Sequence, residues 1–209
     1  MRRGVAALLS LALAALMAYS FTRFWAIESE TQAERDRHRQ VLGAKPAQEP
    51  GEDPLTALRA QYPDIVGWIT VPFTSIDYPI AQTKDNDYYL RRDLNGENAR
   101  HGTIFMDCRC APDGSGYSII YGHNMKDGSM FGTLKRFGDR DFFDAHPAGR
   151  ILFADGWHDI EFFSFLTVPN DDPGIYGLPN QYAAQRVVAL STCSYEFSGA
   201  RMVLLGKIL

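Results

Sequence analysis

Hydrophobic and polar positions divide the chain into an apolar helical start, a polar connecting region and a body of short strands. An uncharged, Leu- and Ala-rich run from Gly4 to Thr22 follows Arg2 and Arg3. Nineteen such residues are long enough to cross a bilayer as a helix. The arginines would keep the N-terminus cytoplasmic and send the rest outward. A cleaved signal peptide is the rival reading, but Ala18-Tyr19-Ser20 is a weak small-x-small site. Tyr19, Phe21, Phe24 and Trp25 read instead as an interfacial belt, which favours an uncleaved anchor. Residues 28–41 are charged and free of Gly and Pro, as in a helical stalk, and 43–53 read as a linker. A second helix is expected over Pro54–Tyr62, with Asp53 as its N-cap. The expected division is therefore an anchor over 1–27, a stalk and linker over 28–53, and a folded domain over 54–209.

From Ile65 the period shortens to that of strands. Strands are expected at Gly67–Val71, Ile76–Ile80, Gly102–Asp107, Ser118–His123, Gly149–Ala154, Ile160–Val168, Val187–Leu190 and Met202–Ile208. Pro79 marks an edge or a bulge. Tyr88–Leu90 reads as a helical turn or bend, Met130–Phe137 has apolar residues at helical spacing, and Pro169–Gln181 reads as loop. Many short strands separated by turn signals predict a mainly β fold, a closed or nearly closed barrel with helices before it. Phe142, Phe143, Phe162, Phe163 and Phe165 are expected in its core.

Composition adds little beyond exclusions. A formal net charge of −4 over 209 residues lacks the basic stripe that nucleic acid demands. Three cysteines are too few for a disulfide framework. Cys108 and Cys110 lack the spacing and the second pair of a zinc site, and a disulfide between them would be strained. Two loop thiols without a role are the simpler reading. His38, His101, His146 and His158 share no metal-ligand spacing, so no metal and no cofactor is expected.

The chemistry concentrates at strand ends. Cys193 lies where the apolar run from Val187 turns polar, and Arg201 opens the strand expected next. His123 ends the run Ile119-Ile120-Tyr121-Gly122. A thiol, an imidazole and a guanidinium at three strand ends suit acyl transfer. The sulfur would attack, the imidazole would protonate a leaving amine, and the cation would stabilise an oxyanion. Any one of the three alone would pass for a satisfied or surface residue. An unperturbed thiol (about 8.5) and imidazole (about 6.5) coexist in charged form in only a minority of molecules near neutral pH, which implies slow turnover.

Tyr121-Gly122-His123-Asn124-Met125, Leu190-Ser191-Thr192-Cys193 and Arg201 together resemble the signature of the sortases. Asp85–Leu90, Gly102–Asp107, Ser129–Leu134 and Cys193-Ser194-Tyr195-Glu196-Phe197 resemble class B blocks, and the ordered resemblance runs from about Leu55 to Leu209. It implies a sortase β-barrel with N-terminal helices and a short helix after the His. It also implies a membrane-anchored cysteine transpeptidase on the outer face of a Gram-positive cell membrane. Such an enzyme cleaves a sorting signal of surface proteins after its Thr and passes the acyl group from a thioester to a peptidoglycan-precursor (lipid II-like) amine. By position Cys193 would be the nucleophile, His123 the general acid/base and Arg201 the oxyanion partner. Ser191, Thr192, Asn86 and Leu90 would line or flank the substrate groove. Cys193 follows His123 by 70 positions, a shorter connection than class B implies. Tyr176 and Tyr182 are equal candidates for the aromatic contact expected from that wall. Two alternatives stand beside this reading. One is a hydrolytic cysteine peptidase, which papain-like order argues against because here His precedes Cys. The other is a membrane-tethered, non-catalytic envelope-binding β-domain with Cys193 buried and inert.

Overall fold

The computed structural model describes residues 2–46, 53–178, 185–194 and 198–209, with the backbone alone for residues 2–10, 27, 30, 31, 34, 35 and 38. The chain forms two compact units, 1–43 and 44–209. The first is a single helix, α1 (Arg2–Gly43). Expected anchor and stalk are thus one continuous helix. Its described stretch from Leu11 to Trp25 exposes Leu11, Leu13, Leu16, Met17, Tyr19, Phe21, Phe24 and Trp25. Among the described residues, however, no helix is long and apolar enough to cross a membrane. The expected spanning helix is therefore unsupported, and the first part of its apolar run falls within residues 2–10, whose side chains lie outside the described set. The middle of the expected linker, 47–52, lies outside it as well.

The second unit opens on α2 (Thr56–Gln61). The helix starts two residues later than expected, with Leu55 in the N-cap position, and Asp53 supports that start from two residues before it: its carboxylate accepts from Leu55 N (2.9 Å) and pairs with Arg59. Eight strands follow: β1 (Ile65–Thr70), β2 (Asp77–Ala81), β3 (Phe105–Met106), β4 (Tyr117–Tyr121), β5 (Ala148–Phe153), β6 (Gly156–Pro169), β7 (Val187–Cys193) and β8 (Ala200–Ile208). They close into a barrel in the order β1-β2-β3-β4-β7-β8-β6-β5. All neighbours are antiparallel except β2 with β3 and β4 with β7. The β2–β3 contact is the single pair Ala81↔Phe105, so most of β2 has no ladder on that side, which is where Pro79 is tolerated.

Alternate side chains of each strand fill the barrel, and Trp68, Ile69, Ile80, Ile119, Ile120, Ile151, Leu152, Val188, Leu190 and Leu204 are all fully buried. In β4 and β7 both faces are buried as far as residues 120 and 192 respectively. That burial is why these strands read as unbroken apolar runs. β6 is longer than expected and carries an irregularity between Phe162 and Ser164. There the alternation slips: Phe162 is buried, Phe163 is 48% exposed, and Phe165 is half-buried. Phe142 and Phe143 are also half-buried, on a helix the sequence reading missed, α3 (Arg140–Ala145), capped by Asp139. Of the five phenylalanines assigned to the core, only Phe162 is fully there. The region expected to be helical after His123 is a short 3-10 helix, Leu134–Gly138.

Candidate active site

The parallel pairing of β4 with β7 decides which residues meet. Its register sets Tyr121 beside Ser191, and Gly122 N extends the ladder by donating to Ser191 O (3.2 Å). Residue 123 therefore leaves β4 at the same barrel rim where residue 193 ends β7. The amide of Asn124 joins the two segments, its Nδ2 donating to Cys193 O (2.8 Å). On the other side of β7, β8 runs antiparallel and sets Arg201 directly opposite Cys193. The Arg201 guanidinium donates through Nη1 to Cys193 Sγ. Cys193, His123 and Arg201 are each half-buried, open enough to meet a peptide and screened enough for charge to matter.

His123 is held from two directions. Its Nε2 lies 2.7 Å from Leu90 O. A carbonyl only accepts, so Nε2 carries the proton in that contact and Nδ1 is the nitrogen left to exchange one. The backbone of the following loop folds back, with Phe131 N donating to His123 O (3.0 Å) and Met130 N to Tyr78 OH (3.0 Å). A side chain at Gly122 would force its neighbours to shift, because a Cβ would lie 2.5 Å from Ile104 Cδ1 and 2.7 Å from the Phe131 ring.

The predicted groove residues fall into distinct places. Leu90 ends the 3-10 turn Tyr88–Leu90 and is 38% exposed beside the imidazole. Asn86 acts through its Oδ1, which accepts from Cys108 N (2.8 Å) and ties that turn to the segment after β3. Ser191 and Thr192 are buried, so neither presents its hydroxyl freely to solvent. Ser191 Oγ is 2.8 Å from Tyr176 OH, whereas Thr192 Oγ1 has no partner among the described residues. Tyr176 closes a short helix, α4 (Pro173–Tyr176), in the stretch expected to be loop. Asp172 caps it through Gly174 N (2.9 Å) and Ile175 N (3.2 Å), and Pro173 supplies its first position. Asp followed by Pro was the readable signal for it. The Tyr176 phenol is pushed up by burial, and its contact with Ser191 places it at this rim. Tyr182, the other aromatic candidate, lies outside the described residues.

Two contributors escape the sequence reading. Asn124 stands in the motif there without an evident task. Asp107 does not stand out at all, although it is a fully buried carboxylate. It accepts from Arg109 Nε (2.9 Å), Arg109 Nη2 (2.8 Å), Arg109 N (3.0 Å) and Tyr121 OH (2.9 Å). Cys108 and Cys110 are free thiols, and burial pushes Cys110 up to about 11, which makes it unreactive. Among the described residues no cluster of His, Cys, Asp or Glu is suited to a metal.

Residues 69–208 match the family model of the sortase domain. The chain belongs to the sortase family. This sortase is 35% identical over 185 residues to the sortase B of Listeria monocytogenes, spanning 75% of the chain and 74% of that relative. It is 30% identical over 172 residues to the sortase B of Staphylococcus aureus, with 70% of each covered. Solved relatives include a sortase B from B. anthracis in complex with AAEK1, at TM-score 0.72 and 32% identity, covering 87% of this chain and 98% of that one. A Staphylococcus aureus sortase B–substrate complex superposes at TM-score 0.71 with 25% identity, covering 87% and 98%. The sortase described here is accordingly class B-like, and it is a cysteine transpeptidase. Neither the hydrolytic peptidase nor the binding-module alternative is favoured, and the half-exposed Cys193 differs from the inert buried thiol that the latter required.

Proposed function

We propose that this sortase cleaves a C-terminal sorting signal of surface proteins after its Thr and joins the new carboxyl end to an amine of a peptidoglycan precursor. The Cys193 thiolate adds to the carbonyl carbon of that Thr. Arg201 stabilises first the sulfur anion and then the oxyanion. As the tetrahedral intermediate collapses, the peptide C–N bond breaks and the His123 imidazolium gives its proton to the departing amine. A thioester remains on Cys193. The acceptor amine then attacks it, loses a proton to His123, and expels the thiolate. The observation that carries the reading is the bond from Arg201 Nη1 to Cys193 Sγ, formed beside the strand end that bears His123.

Relatives support the two substrates by chemistry. One solved sortase B is a substrate complex, and another is complexed with triglycine, a short peptide with a free amine. Incubating the protein with a panel of Thr-containing peptides and weighing it intact tests the scheme. A thioester adduct on Cys193 is expected, discharged faster when triglycine is added. Adduct on Cys193→Ala, or discharge by water that triglycine does not change, would count against it.

For location, we propose a single-pass anchor with a cytoplasmic N-terminus and the barrel outside the cell. The exposed apolar side chains from Leu11 to Trp25 support a hydrophobic environment for that part of α1. Release of the full chain from membranes by carbonate washing would refute an integral anchor.

A further inference from the structure

The rim residue Tyr176 is held by a device that lies outside the reacting groups. Asp107 is fully buried, yet its carboxylate is ionised: burial pushes it up, but the hydrogen bonds from Arg109 and then Tyr121 outweigh this and leave it below its usual value. The Arg109 guanidinium grips both carboxylate oxygens side-on, through Nε to Oδ1 and Nη2 to Oδ2. The same Nη2 also donates to Tyr176 O (3.1 Å), the main-chain carbonyl at the end of α4. Tyr121, whose hydroxyl donates to Asp107, lays its ring parallel to that of Tyr176, at 6.5 Å between centroids and 11° between planes. At its far end the Tyr176 phenol meets Ser191 Oγ, two residues before Cys193. One buried anion thus orients a guanidinium and a phenol. These two hold the backbone and one ring face of a third residue. The ring spans from that clamp to the strand carrying the sulfur.

A bond to the main chain of Tyr176 is informative. It survives any change of side chain at 176 and fixes where that side chain starts. Half of the Arg109 side chain is solvent-exposed, at 49%, whereas its partner Asp107 is fully buried. None of Asp107, Arg109 and Tyr121 bonds to Cys193, His123 or Arg201 in the hydrogen bonds described.

We infer that the Asp107–Arg109–Tyr121 cluster is a positioning site for substrate selection, setting Tyr176 against the sorting-signal peptide without entering the acyl-transfer chemistry. The inference rests on the catalytic reading of Cys193 given above. It assigns Asp107, Arg109 and Tyr121 as positioning residues, acting through Tyr176.

The probe is the Thr-containing peptide giving the largest thioester yield on Cys193 in the screen above, used with triglycine on the full chain. Arg109→Ala and Arg109→Lys are compared, because lysine keeps the charge beside Asp107 but cannot grip two oxygens and a carbonyl together. Both are expected to raise KM for the peptide about tenfold, the scale of one hydrogen bond to a charged group. The kcat and the rate of Cys193 alkylation by iodoacetamide should stay within about twofold of the parent. In a Tyr176→Ala background the Arg109 substitutions should add nothing further to KM, since there is no ring left to place. Unchanged KM, additive effects with Tyr176→Ala, or parallel losses of kcat and alkylation rate would overturn the inference. A parent protein that forms no thioester on Cys193 would overturn the catalytic reading first and this inference with it. Thioester formation with KM indifferent to Arg109 would overturn this inference alone.

Discussion

Arg201 and Cys193 face each other across the β7–β8 pair, and the guanidinium bonds the sulfur directly. The contact is made by backbone register before any substrate arrives. A cation so placed needs no rearrangement as charge moves from sulfur to a carbonyl oxygen.

Replacing that cation should therefore hurt turnover more than binding. Arg201→Ala is expected to lower kcat by about 10²–10³-fold, as for the loss of one preorganised oxyanion donor, with the melting transition nearly unchanged. Arg201→Lys should recover only a small part, because a point charge on a flexible stem cannot reproduce the fork. Steady-state kinetics on the thioester-forming peptide, alongside thermal melts, checks both. Near-normal turnover of Arg201→Ala would remove the oxyanion role.

The contact from His123 Nε2 to Leu90 O predicts a tautomer. When neutral, His123 should be in the Nε2–H form, leaving Nδ1 to exchange the proton. Nitrogen-15 chemical shifts of a histidine-labelled sample report this directly. A dominant Nδ1–H form would mean that the ring is held otherwise in solution. Gly102→Ala, at a backbone φ of 59°, would set a Cβ 2.7 Å from Leu90 O, shift that carbonyl and disturb the same signal.

Gly122 is the hinge between strand and imidazole, and its missing side chain is a packing requirement. Gly122→Ala would press a methyl group against Ile104 and Phe131. A loss of about 1–3 kcal/mol in stability is expected from such overpacking, measured by urea unfolding. Activity should fall further than stability explains, since His123 moves with the backbone. A variant of full stability and full activity would show that the rim adjusts freely.

Asp107 gives the molecule an acid-sensitive component. Its carboxyl lies below the usual range in the folded state, despite the upward push of burial, because Arg109 and Tyr121 donate to it. A folded-state value depressed below the unfolded one contributes stability that is present above the unfolded value, about 4, and is lost as pH falls through the folded value. Unfolding free energies measured from pH 6 down to pH 3 should decline, and more gently in Asp107→Asn. Equal slopes in the two proteins would show that the carboxylate is not the group responsible.

The barrel was legible because its signal is redundant: strand after strand shows short apolar runs with turn chemistry between them. Cys193, Arg201 and His123 were legible for a related reason. Cys193 and His123 mark points where an apolar run ends and Arg201 the point where the next begins, and a closed barrel gathers such points at its rims. What stayed hidden depended on contacts distant in the chain. Asp107 reads as an ordinary polar residue after a strand until Tyr121 and Arg109 are folded around it. Asn124 has no visible task until β4 lies beside β7. Phe163 and Phe165 misled because a strand turns only one of two adjacent rings inward and the irregularity after Phe162 then shifts the alternation, which no local signal announces. Helix α4 was missed because its four residues are too few to show a period, although its cap was in plain view.

The parallel run of β4 beside β7 has a further bearing on how such an enzyme changes its diet. Parallel neighbours need a long crossover, and here that crossover carries β5, β6 and α4 on its way from the imidazole to the sulfur. Its last stretch leaves β6 after Pro169 and rejoins the barrel at Val187. The ladder from Tyr117↔Val187 to Tyr121↔Ser191 fixes the strand ends that bear His123 and Cys193 without help from that stretch. On the proposed role of Tyr176, which lies on that stretch, exchanging it for a relative's segment would change peptide preference and leave the paired strand ends in place.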